Sequence, residues 1–208
     1  RVLIRQKTKA ANLKILKLLE EDIPITDNAG AFLWSMLHRD AIKAAPVFFP
    51  RLLEYATISD YKSDIHGTLA SLSKQGRLSH KKYKSYKKQF LNEGKIELKR
   101  AIGKEVQAKS KNKNDYRYRR SYETNKALDR YVNLLYPFRK EKKIANFLDK
   151  VKKLENPAVQ MNLIELQLQN NELVDGAVIQ KLAENPKQRY NIYNTLRRYK
   201  ALGLMEDS

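Results

Sequence analysis

Residues 77–120 read RLSHKKYKSYKKQFLNEGKIELKRAIGKEVQAKSKNKNDYRYRR. From Ser79 onward, apolar and aromatic side chains return at Tyr83, Tyr86, Phe90, Leu98, Ala101 and Ile102. That is the period of one face of an α-helix, not the alternation of a half-buried strand. Ser79 suits the start, because its hydroxyl can accept from a backbone N–H of the first turn. The expectation is one long basic helix over 80–109. Gly94 falls in the middle of its stripe. A glycine there costs roughly 1 kcal/mol of helix propensity against alanine, and it gives room for a second helix to cross closely.

The same stretch is strongly cationic. It holds sixteen Lys and Arg against four acids, while the rest of the chain supplies only seven of the formal net charge of +19. A solvated surface does not need that much of one sign. Lys81, Lys88, Lys95 and Lys99 are expected along one side of the helix, flanking its stripe. Ser110–Asp115, SKNKND, reads as a flexible linker. Beyond it Tyr116, Arg117, Tyr118, Arg119 and Arg120 interleave rings with cations. Lys and Arg neutralise phosphates, and Tyr rings stack on unpaired bases at roughly 1–3 kcal/mol per base. These nine residues form the candidate binding site for an anionic partner. A plainer reading stands beside it: the lysines solvate an outer face and the tyrosines pack. The charge equally suits an acidic protein, an anionic glycan or an anionic membrane surface.

Outward from this stretch the pattern stays helical. Before it, helices are expected over 2–21, with Leu13, Leu16 and Leu19, and after a cap at Thr26 or Asp27, with Phe32, Leu33, Met36 and Leu37; Trp34 flanks that stripe. Pro46 and Pro50 break or kink the next run. A helix after Ser59 carries Ile65, Leu69 and Leu72, and Gly76 suits its left-handed exit. After 77–120, Tyr118–Tyr136 carries Leu128, Tyr131, Val132 and Leu135 and stops at Pro137. Glu141–Leu154, a helix opened by Pro157 and closed at Asn170–Asn171, Ala177–Ala183, and a last helix from Pro186 to Gly203 complete the series. No period-2 strand is present, so the fold class is all-α. The organisation reads as an N-terminal helical region over 1–109, the linker over 110–115, and a C-terminal helical-repeat region over 116–208, packing as two parts or as one domain.

Spaced matches suggest a repeat. Ile65, Thr68, Leu69, Gly76 and Leu78 correspond to Ile192, Thr195, Leu196, Gly203 and Met205 at a constant offset of 127 residues. Asn171 and Leu173 lie 32 residues before Gly203 and Met205. A period near 32 suits helical hairpins, none of which buries its apolar face alone. In general arrangement this resembles HEAT- and armadillo-like helical repeats. The resemblance implies a right-handed, α-solenoid-like stack of antiparallel helix pairs; an irregular helical bundle is the alternative.

Composition narrows the chemistry. With no Cys among 208 residues, disulfides, thiolate metal sites and Cys nucleophiles are excluded. No apolar run approaches the roughly 18 residues needed to span a membrane. The histidines, His38, His66 and His80, are not paired at ligand spacing. Asp60 and Asp64 beside His66 could touch a hard cation but supply too few oxygens, so a solvated helix face is expected there. Ser-x-x-Lys occurs five times, at Ser59, Ser71, Ser79, Ser85 and Ser110, as a Lys-rich composition produces; its companion motifs are absent. Val178–Leu204 can be read as a helix-turn-helix with Arg189, Arg197, Arg198 and Lys200 on its second helix, or as an ordinary helical hairpin.

The expectation is therefore a non-catalytic helical-repeat interaction or scaffold module, without cofactor or metal, and a piece of a longer protein. A protein partner leads. The alternative is a nucleic-acid-binding domain using 77–120, and another polyanion would meet the same charge.

Overall fold

A computed structural model describes residues 62–110 and 118–205 of the chain, with single positions 8, 10, 11, 14, 17 and 53; the side chains of 64, 107–110 and 118–125 fall outside that description. Among the described residues every regular element is helical and none is a strand. The α-helices are α1 (Lys62–Lys74), α2 (Lys87–Ser110), α3 (Tyr118–Leu135), α4 (Lys142–Lys152), α5 (Pro157–Gln169), α6 (Gly176–Glu184) and α7 (Arg189–Arg198). Short 3-10 helices occupy His80–Tyr86, Tyr136–Phe138 and Leu202–Met205. The expectations for residues before 62, Trp34, His38 and Asp60 included, and for 111–117 lie outside the described residues. The chain divides into two compact units, Arg1–Asn92 with Asn133–Pro137, and Glu93–Val132 with Phe138–Ser208.

In the first unit, α1 buries Ile65, Leu69 and Leu72, and closes at Gly76 with φ +67. The Arg77 N–H bonds back to the Leu72 carbonyl at 2.9 Å, closing the last turn through a left-handed residue, for which glycine carries no Cβ penalty. Leu78 then folds back and is buried. Ser79 caps the next element as expected, accepting from the Lys81 N–H. The element is not yet the long helix, however. Residues 80–86 are 3-10, and Tyr83 leaves helical geometry at φ −121, ψ 15. The cause is tertiary. Tyr83 is fully buried, its hydroxyl lies 2.6 Å from Ser73 Oγ, and its ring meets Phe90 edge-on at 5.9 Å. A regular α-helix from Ser79 would rotate that ring away, so α2 begins only at Lys87.

In the second unit the expected close approach at Gly94 is present. A Cβ there would stand 3.0 Å from Phe147 Cζ on α4 and 3.2 Å from Tyr131 Cβ on α3. α4 is amphipathic, with Ile144, Phe147, Leu148 and Val151 buried. α5 is apolar on two sides. Val159, Leu163 and Leu166 are buried, and Asn162 bonds Asp129 of α3 at 3.3 Å. On its other side, Met161, Ile164 and Leu168 pack with Ile179 and Leu182 of α6 and Ile192 and Leu196 of α7. A helix covered on both sides needs apolar residues around most of its girth.

The helix ends reveal a repeat different from the one expected. Glu-Asn-Pro occurs at 155–157 and again at 184–186, an offset of 29 residues. Asn156 Oδ1 accepts from the Ala158 N–H at 3.0 Å, and Asn185 Oδ1 from the Lys187 N–H at 3.0 Å. The Gln160 N–H bonds to the Asn156 carbonyl, and the Arg189 N–H to that of Asn185. At the far ends Asn171 and Lys200 are both left-handed, at φ 53 and φ 56. The Glu172 N–H reaches the Gln167 carbonyl and the Ala201 N–H the Leu196 carbonyl, each at 2.9 Å. α5 and α7 thus open and close by the same bonds, 29 residues apart.

Gly203 is therefore not the counterpart of Gly76. α7 ends one turn earlier, at Lys200, and Gly203 lies inside a 3-10 turn. Leu202 and Leu204 pack onto the Ile179–Ile192–Leu196 cluster, and that burial outweighs the glycine's preference for the exit. The helical half of the 127-residue match does share burial, since Ile65, Thr68, Leu69, Ile192, Thr195 and Leu196 are all buried. Its exits do not correspond. Leu173, expected to staple back, is 94% exposed.

Candidate functional site

A helix that buries one face must show the other. On α2 the inward line runs through Phe90, Gly94, Leu98 and Ala101. Ala101 is the last apolar residue of that line, so Ile102, one position on, turns about 100° away from it. Ile102 is 45% exposed, which corrects its expected place in the core stripe. Val106, one turn further, is 64% exposed, and Ile96 is also exposed. Lys95 and Lys99 are exposed on the same side. Within the second unit, α2 therefore presents a cationic face with an aliphatic centre. Glu97, the acid on this segment, is buried and held by Arg100.

The expected site residues separate on inspection. Lys88, Lys95 and Lys99 are all exposed on α2, where spacings of seven and four residues keep them within about 20° of one line. Lys81 is exposed but belongs to the 3-10 segment beyond the Tyr83 break, so it does not continue that line. Tyr118, Arg119 and Arg120 form the first turn of α3. Tyr116 and Arg117 lie outside the described residues.

His66 departs from its expectation. It is fully buried in the first unit, with its ring edge-on to Phe90 at 5.0 Å, rather than on a solvated face. Among the described residues no three His, Asp or Glu side chains gather in a way that could hold a metal ion. No described helix is long and apolar enough to cross a membrane. The buried phenols are structural. Burial pushes the Tyr83 hydroxyl up to about 12, against the lowering effect of its bond to Ser73. Burial first, then the negative charge of Glu93, pushes Tyr131 up to about 12 as well, with Arg130 opposing.

No family model matches this chain, and no curated protein or solved structure resembles it significantly. Function must therefore be argued from the side chains themselves.

Two further faces escaped the sequence reading. On α4, Lys142, Lys143, Lys150 and Lys153 are exposed opposite the buried stripe; the signal was the run of lysine pairs at 142–143 and 152–153. On α7, Tyr190 is 75% exposed and Tyr193 is 43% exposed. Their spacing matches a core stripe. Only the duplicated Glu-Asn-Pro, aligning α7 with α5, would have shown which face of α7 is left uncovered.

Proposed function

We propose that the chain is a non-catalytic helical-repeat interaction module that docks an acidic protein segment on the outer face of α2. The observation that carries this reading is the face itself. Ile96, Ile102 and Val106 form an aliphatic centre, and Lys95 and Lys99 provide a cationic rim. A protein interface combines an apolar core with a polar rim in this way, whereas a merely solvated helix face has no use for three exposed branched aliphatics. Charge complementarity makes the occupant acidic, and helix-on-helix packing makes it an amphipathic helix.

The supporting architecture is a stack of antiparallel helix pairs. Its basis is the 29-residue correspondence of α5 and α7, with α6 between them, and the packing of each of these helices on its neighbours in sequence. Stacked units of this kind carry binding surfaces along their length.

The test is fluorescence anisotropy with a labelled helical peptide of about 18 residues, Leu at i, i+3, i+4 and i+7 and Glu elsewhere. A scrambled peptide of equal composition is the control. The helical peptide should bind more tightly, and Ile102→Ser with Val106→Ser should weaken it about tenfold, which is the scale of two exposed aliphatics lost from an interface core. Equal binding of the scrambled peptide, or no effect of the serines, would leave only diffuse charge attraction and end the proposal.

A further inference from the structure

The repeat makes α5 a ruler for α7. At the 29-residue offset, Met161, Ile164 and Leu168 correspond to Tyr190, Tyr193 and Arg197. The three α5 residues are covered by α6 and α7. Their counterparts are exposed. The same helix face is thus an internal packing surface in one copy and an open surface in the next, and its chemistry has changed from aliphatic to aromatic and cationic.

The charge around the strip is of one sign. From Asn185 to Met205 there is no Asp or Glu, while Lys187, Arg189, Arg197, Arg198 and Lys200 are present. Arg189 is tied down, its Nε donating to the Ala183 carbonyl at 2.8 Å, which leaves its terminal nitrogens facing outward with a fixed stem. Arg198 points elsewhere and pairs with Glu165 of α5 at 3.1 Å. Tyr190, Tyr193 and Arg197 stand at i, i+3 and i+7, so the two rings occupy adjacent turns of one line, with a guanidinium beyond them.

We propose that this strip binds single-stranded nucleic acid, with Tyr190 and Tyr193 stacking on neighbouring bases and Arg189, Arg197 and Lys200 meeting the flanking phosphates. Single-strand binders combine aromatic platforms with a positive track along the backbone, and both are present here. A duplex hides the base faces that tyrosine rings require. An acidic protein would find no aliphatic centre here of the kind α2 offers. A second copy of the chain would bring the same cations to the same place, under a net charge of +19 on each molecule. The site, the partner class and the observation all differ from those of the α2 reading, so either can fail without the other.

The experiment measures fluorescence anisotropy with the full chain across a salt series. The labelled probes are oligothymidine and oligouridine of about 15 nucleotides, within the span of common single-strand sites, a duplex of equal length, and an oligoglutamate of equal length. The expected result is binding of the single strands, falling steeply with salt as counterion release requires. Tyr190→Ala with Tyr193→Ala should weaken it at least tenfold at unchanged net charge, and Tyr190→Phe with Tyr193→Phe should retain it. Arg197→Gln should reduce the salt slope by about one. Lys142→Gln with Lys143→Gln on α4 should cost less than about threefold, because those charges lie off the track. A preference for one of the two oligonucleotides assigns the strip to DNA or RNA. Absence of single-strand binding, tighter binding of the duplex or the oligoglutamate, or indifference to the alanine pair would overturn the proposal. Both tyrosines are exposed, so the alanine pair should leave the melting temperature in place; if it does not, the phenylalanine pair and Arg197→Gln still decide the question.

Discussion

Gly94 and Gly103 both sit inside α2, and their surroundings give them opposite roles. A Cβ at Gly94 would stand 3.0 Å from Phe147 Cζ and 3.2 Å from Tyr131 Cβ, while one at Gly103 meets nothing within 4 Å. Alanine improves helix propensity by roughly 1 kcal/mol at either position. At Gly94 that gain is set against overpacking of roughly 1–3 kcal/mol, because Tyr131 Cβ is fixed to its own helix backbone and cannot swing aside. Gly94→Ala should therefore lower the melting temperature by a few degrees, and Gly103→Ala should raise it by about 2–4 °C, the shift expected per kcal/mol for a chain of this length. Thermal unfolding followed by circular dichroism checks both. A stabilised Gly94→Ala would mean that α3 and α4 do not press on α2 at that point. The crowding at Gly94 was legible in the sequence, because a glycine inside a core stripe leaves a gap that a crossing helix must fill. The burial of His66 was not legible. An imidazole beside acids reads as solvated, and only the position of Phe90 in space shows otherwise.

Elements were legible where their ends are chemically local. The opening of α5 by Asn156 and Pro157, its close at Asn171, and the stop of α3 before Pro137 each depend on residues within a turn of the boundary. Ends set by tertiary contacts were not legible. The Tyr83 break depends on Ser73, ten residues earlier. The end of α7 at Lys200 depends on where Leu202 and Leu204 find their core. The same limit governed the site. Exposure of Lys88, Lys95 and Lys99 follows from charge, but exposure of Tyr190 and Tyr193 depends on whether something covers α7. The position that ends α7 carries its own prediction. Lys200 holds φ 56, which costs a non-glycine residue roughly 1–2 kcal/mol. Lys200→Gly should relieve most of that and stabilise by about 1 kcal/mol, less the entropy of a more flexible unfolded chain. Gly76→Ala, at φ +67, should destabilise by about the same amount. Gly203→Ala should be nearly neutral, since nothing crowds it and its φ is ordinary. Urea midpoints for the three variants rank them. A Gly203→Ala loss exceeding that of Gly76→Ala would restore Gly203 as the true exit.

At the scale of the whole molecule, two effects of opposite sign meet in alkaline solution. A formal charge of +19 repels itself within a compact fold. As pH rises past about 10, lysines discharge and that repulsion weakens, which favours the folded state. Tyr83 and Tyr131 act the other way. Each is held at about 12 in the fold against 10.0 in a model phenol. Between those values the folded chain keeps protons that the unfolded chain has lost. Their contribution is fully present below pH 10 and is lost as pH climbs through about 12. Salt separates the two effects. At an ionic strength of about 1 M the Debye length is about 3 Å, so lysine repulsion is largely screened, whereas burial of a phenol is not. At low salt the melting temperature should rise on adding salt at pH 7 and change little between pH 10 and 11. At high salt it should fall steadily over pH 10–12. Tyr83→Phe should lower stability by about 1 kcal/mol at pH 7 through loss of its bond to Ser73, yet flatten the alkaline fall, because one of the two retained protons is gone. Melting curves over that pH range at two salt concentrations measure all of this. An alkaline fall as steep in Tyr83→Phe as in the parent would show that Tyr83 does not carry it, and would move the origin to Tyr131 or to the lysines.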